Sequence, residues 1–174
     1  MLKKMGIIPA GIIVGGIVLA GLFCIMGCTT NMKPFEEGDR SSSKKVLIAA
    51  EGSGFKKAVV EAVIERLGTE EWYFRGIGLG ELTETSEDEV EQYGAVLIVC
   101  KMTGGRVESQ ARAFVDKERK NPKLVVLMTT GGDGTLPEGA QSDLNKVDAV
   151  SSASKTAYVE ESAEEIAALL QERF

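Results

Sequence analysis

Lys44–Gly68, KKVLIAAEGSGFKKAVVEAVIERLG, reads as a buried strand, a glycine-bearing turn and an amphipathic helix. Val46 to Ala50 is a short apolar run and Gly52-Ser53-Gly54 permits a tight turn. Val59, Val60, Val63, Ile64 and Leu67 then recur at helical spacing until Gly68 ends the helix. A turn that feeds a helix from a buried strand aims backbone N–H groups and a partial positive charge at any anion, most often a phosphate. The same wording suits a plain strand-to-helix connection that binds nothing, and both readings stand at this point.

Outward from that stretch the pattern repeats. Trp72–Leu79 is a second strand whose two glycines suggest a sheet edge or a bulge. Glu81–Glu91 is an acidic, solvated loop with room for one helical turn. Ala95–Cys100 is a continuous apolar strand, and Val107, Ala111, Phe114 and Val115 mark a helix that Asn121-Pro122 would end. Leu124–Met128 is another buried strand. Thr129–Lys146, with Gly131, Gly132, Gly134 and Pro137, leaves space for a short helix before a weak strand at Val147–Ser152. Val159, Ala163, Ile166 and Leu170 form the buried stripe of a last helix. Strands apolar on both faces that alternate with helices predict an α/β fold, a doubly wound parallel sheet of five strands in a single domain. Ligands of such sheets bind beyond the carboxyl ends of the strands, which here collects Glu51–Lys57, Lys101–Arg106 and Thr129–Thr135.

Residues 1–27 read as a signal peptide or membrane anchor. Lys3 and Lys4 precede an uncharged run from Met5 to Gly27, long enough to span a bilayer and too rich in glycine for a soluble helix. Ile25-Met26-Gly27-Cys28 resembles the lipobox of prokaryotic lipoproteins, which implies lipidation of Cys28 with palmitate-type acyl chains. The competing reading is an uncleaved transmembrane helix. Either way Lys3 and Lys4 stay cytoplasmic, and the domain lies on the extracytoplasmic side of the cell membrane. Residues 28–43, with a proline, a glycine and three consecutive serines, are expected to form a flexible tether, so the folded domain is expected at 44–174.

Composition narrows the chemistry. Lys+Arg 20 against Asp+Glu 26 is −6, and without Lys3 and Lys4 the balance is 18 against 26, or −8, which disfavours nucleic acid as a partner. There is no histidine, so Ser-His-Asp and Cys-His catalysis and histidine-ligated metals are excluded. No metal site is expected. Three cysteines, Cys24, Cys28 and Cys100, form neither a disulfide framework nor a CxxC pair.

Across Lys44–Phe174 the order of elements and the local wording resemble the flavodoxins. YGAVLIVCKMTGGRVESQARAFVDK followed by KLVVLMTTGG is most similar to the flavodoxin domains of menaquinone-dependent protoporphyrinogen oxidases. The resemblance implies FMN as cofactor. Its phosphate would lie in the loop carrying Gly52, Ser53, Gly54 and Lys56, and its ring would be flanked by Thr103, Gly104, Gly105 and Arg106 and by Thr130, Gly131, Gly132 and Asp133. Glu51 stands where that family has a hydroxyl residue, and neither ring loop carries an aromatic to stack on the flavin. Two outcomes are open for Glu51: it repels the phosphate while Lys56 and Lys57 compensate, or it points to solvent and the loop binds nothing. The functional expectation is a membrane-anchored, FMN-binding electron-transfer module with a protein redox partner; the alternative is a flavin-less binding or structural module on the same fold. A third chemistry comes from Cys100-Lys101-Met102-Thr103-Gly104-Gly105-Arg106, which fits the C-x5-R phosphate loop of tyrosine phosphatases, though Val107 replaces the usual Ser or Thr.

Overall fold

The computed structural model describes residues 31–118, 125–131, 134–135 and 147–174. Its core is one sheet with strands β1 (Phe35–Gly38), β2 (Lys44–Ala50), β3 (Trp72–Gly78), β4 (Ala95–Thr103), β5 (Arg106–Val107), β6 (Val125–Thr130) and β7 (Asp148–Ser152). The order is β1-β3-β2-β4-β6-β7, with β5 folded back on β4. The five strands β3, β2, β4, β6 and β7 run parallel, as the doubly wound pattern predicts. Helices α1 (Gly54–Leu67), α2 (Glu87–Val90), α3 (Ser109–Lys117) and α4 (Val159–Gln171), with short 3-10 turns at Leu79–Glu81 and Thr156–Tyr158, complete the described elements.

Alternation along the central strands divides the core in two. Val46, Ile48 and Ala50 of β2, Leu97 and Val99 of β4, and Met128 of β6 face α1 and α4, meeting Val59, Val63, Ala163, Ile166 and Leu170. Leu47 and Ala49, then Val96, Ile98 and Cys100, then Leu127 face the other way onto Ala111, Phe114 and Val115 of α3. Burial on both faces is why these strands are apolar at every position rather than at every second one.

The expected tether over 28–43 needs correction from residue 31 onward; residues 28–30 lie outside the described residues. Phe35–Gly38 forms β1, antiparallel to β3 and in register Phe35 to Gly76. The glycine in β3 explains the docking: a Cβ at Gly76 would overlap the Phe35 ring, so the missing side chain is the seat for that ring. Met32 is buried, and its amide donates to the Ala50 carbonyl at 3.0 Å. The serines that suggested a spacer serve as turn residues, with Ser41 N donating to Asp39 Oδ1 at 2.8 Å. Exposed Glu36 and Glu37 on the outermost strand discourage further strand addition. The predicted helix stop at Asn121-Pro122, the leader 1–27 and Cys28 lie outside the described residues. Among the described residues, no helix is long and apolar enough to cross a membrane.

Candidate functional site

All three glycine-bearing loops open at the carboxyl end of the sheet, and the structure brings them together. The first follows β2. Ser53 caps α1, its Oγ accepting from Lys56 N at 3.3 Å, while the Gly54 and Phe55 amides have no intrahelical acceptor. The space beside the Gly54 Cα is open.

Glu51 follows neither sequence expectation. It is 7% exposed, its amide donates to the Val99 carbonyl at 3.1 Å, and it forms an antiparallel bridge with Asn31. Its Oε2 accepts from Nζ of Lys56, which is itself 4% exposed, and Lys101 Nζ lies 3.6 Å from Oε1. Two ammonium groups and one carboxylate therefore meet at the head of α1, leaving one net positive charge. Lys57 does not take part; it pairs with Glu61 at 3.4 Å on the helix surface.

The second loop is a hairpin. β4 runs to Thr103 rather than ending at Cys100, and Gly104 and Gly105, at φ of 59° and 74°, turn the chain back into β5. Two successive positive φ angles define the tight turn that glycine pairs favour, and Met102 then pairs with Val107 and Thr103 with Arg106. The next carboxylate, Glu108, accepts from Gln110 N at 2.7 Å and Ala111 N at 3.2 Å, so the start of α3 is capped from within the chain. In the third loop Thr130 Oγ1 donates to the Cys100 carbonyl at 3.3 Å, and Gly131 packs against Met102. A polar recess of about 340 Å³ adjoins this loop and contains Thr135, Ser151, Ser152 and Ser162.

Gly52, Ser53, Gly54, Lys56, Thr103, Gly104, Gly105, Thr130 and Gly131 thus share one edge of the sheet; Gly132 and Asp133 lie outside the described residues. Sequence reasoning put Lys101 in the second loop but missed its pairing with Glu51, and it missed Asn31 altogether. The pairing was legible in principle, because continuing the alternation of β4 by one residue puts Lys101 on the α1 side. Nothing local distinguishes Asn31.

The phosphatase reading of Cys100 and Arg106 is overturned. A glycine hairpin separates them, Arg106 is exposed, and Cys100 is fully buried, so that desolvation pushes its thiol up to about 12. A thiol held neutral is no nucleophile. Iodoacetamide at pH 8 should leave Cys100 unmodified in the folded protein and alkylate it in urea. Because the folded value lies above the ordinary 9.0, burial of the neutral thiol stabilises fully below pH 9. That stability is lost between about pH 9 and 12 at a slope of about 1.4 kcal/mol per pH unit, which urea titration across that range would measure.

No protein-family model and no curated protein matches this chain. Solved structures do. At 11% identity the chain is similar to a flavodoxin from the domain Archaea, covering 74% of this chain and 98% of that one with a TM-score of 0.51. The fold is flavodoxin-like. A WrbA-like flavodoxin from Agrobacterium tumefaciens gives 16% identity over 76% of this chain and 98% of that one, TM-score 0.50. The Flv1 flavodiiron core from Synechocystis sp. PCC6803 gives 14% identity over 77% of this chain at TM-score 0.50, the chain spanning 37% of that longer protein. These structural matches show the fold and nothing beyond it.

Proposed function

We propose that this chain is a membrane-anchored flavodoxin-like protein that takes FMN at the carboxyl edge of its sheet and passes electrons to a protein partner. The observation that carries this reading is the convergence of three loops at the edge where flavodoxin-like sheets hold ligands: Glu51–Lys57, Thr103–Arg106 and Thr130–Gly131. The residues present suit FMN with one reservation built into the site. Lys56, Lys101, the Ser53 cap and the Gly54 and Phe55 amides would hold the phosphate, and Met102, Thr103 and Gly131 would border the ring. FMN would supply one- and two-electron transfer. Glu51 already occupies Lys56, so a phosphate must displace an internal carboxylate to enter.

That same ion pair favours a second reading, a flavin-less module in which Glu51 has permanently replaced the ligand's anion. Titration of the domain with FMN, followed by quenching of flavin fluorescence, separates the two. Quenching supports the first, and its absence at high micromolar FMN supports the second. Glu51→Ser removes the competitor and restores a hydroxyl, so FMN affinity is expected to rise about tenfold, or about 1.4 kcal/mol. Equal affinity in the two proteins would mean that Glu51 does not compete for the phosphate.

Anchoring through Cys28 is supported by the lipobox wording. Mass spectrometry of membrane-extracted protein should find Cys28 as the acylated first residue. Retention of Met1–Gly27 would replace the lipid with a transmembrane helix.

A further inference from the structure

The segment entering the domain does not approach it from the far side; it is stitched to the ligand-bearing edge. Asn31 bridges Glu51 and sits against Gly78 at the end of β3, and Met32 is buried with its amide on the Ala50 carbonyl. Cys28 is three residues from Asn31, so even a fully extended chain separates the two by only about 10 Å. This reach is the same whether Cys28 carries acyl chains or follows a membrane helix. A seven-residue strand is about 23 Å long, which places the opposite edge of the sheet well beyond the anchor's reach.

A second point lies on the same edge. Tyr158, in the turn between β7 and α4, is one of two large apolar side chains exposed among the described residues, at 40%. The other, Phe174, is engaged on Trp72 with ring centroids 4.8 Å apart near the opposite edge. A tyrosine that offers an apolar ring and a hydroxyl to solvent suits the headgroup layer of a bilayer.

We infer that the anchored protein holds the carboxyl edge of its sheet, with the Glu51, Lys56 and Lys101 cluster, against the phospholipid headgroup surface, so that whatever reaches the site comes from the membrane side. The inference rests on the anchoring reading above. The test uses the full chain in vesicles whose lipids carry a nitroxide on the headgroup, with a fluorophore attached at Thr103→Cys in the hairpin or at Thr69→Cys at the far edge. Cys100 is buried and takes no label in the folded protein; Cys24 is replaced by Ser, and Cys28 is either blocked by its acyl chains or, where it is free, replaced by Ser as well. Quenching is expected to be several-fold stronger at position 103 than at 69. Inserting a Gly-Ser segment of about twelve residues between Thr30 and Asn31 should bring the two toward equality, because a flexible linker frees the orientation. Equal quenching in the unmodified chain, or stronger quenching at 69, overturns the inference while leaving the anchor standing. A protein that fails to float with the vesicles overturns both.

Discussion

Lys56→Ala is expected to destabilise the protein by about 3 kcal/mol, far more than loss of a surface ion pair, which costs about 0.5 kcal/mol. The side chains of Lys56 and Glu51 are only 5% and 10% exposed, so removing the lysine strands a buried carboxylate whose remaining cation is Lys101 at 3.6 Å. Two terms oppose each other in the intact pair. Bringing both charges out of water costs several kcal/mol, and their attraction at low dielectric offsets most of it. Deleting one partner removes the attraction and leaves half of the desolvation. It follows that Glu51→Leu with Lys56→Met, which removes both charges and keeps the volume, should return to within about 1 kcal/mol of the wild-type protein. Urea unfolding followed by circular dichroism measures all the variants. If Lys56→Ala cost no more than a surface pair, the carboxylate would have to be reaching solvent, and its role as an internal occupant of the anion seat would fail.

Phe74→Ala is expected to cost about 3–5 kcal/mol. Phe74 lies at the centre of β3 with no exposed surface, stacked on Trp72 at a centroid separation of 6.2 Å with the rings nearly parallel. It packs among the residues that join the sheet to α1 and α4. Truncation loses the transfer energy of the ring and leaves a cavity that a sheet hydrogen-bonded on both sides of β3 cannot collapse to fill. The unfolding midpoint in urea should fall with little change in slope. A loss below about 1 kcal/mol would show that the site relaxes, as a strand at a free edge would. Since β1 covers β3, the prediction also tests whether Phe35–Gly38 is part of the cooperative fold.

The described helices and parallel strands were legible in the sequence because each announces itself locally. Apolar runs such as Val46–Ala50 and Ala95–Cys100 are buried on both faces, the stripe Val159, Ala163, Ile166 and Leu170 repeats at helical spacing, and Gly68 closes α1. Their alternation dictates a parallel sheet, and the sheet dictates where the loops meet. The convergence of the loops that make the candidate site, from Gly52 and Ser53 to Thr130 and Gly131, was therefore readable before any coordinates. The state of that site was not. Whether Glu51 repels a ligand, faces water or is neutralised depends on Lys101, fifty residues away in sequence, and on a bridge to Asn31. The fate of Phe35–Gly38 likewise depends on a distant residue, since the same polar, glycine-bearing segment would be a plain linker if Gly76 carried a side chain. Propensity and periodicity act over a few residues, whereas the burial of one charge or one ring is decided by whichever distant surface is shaped to receive it. The sequence by itself determined the α/β layering and the edge where the glycine-bearing loops meet; only the tertiary structure decided that this edge holds its own counter-charge and receives the N-terminal segment.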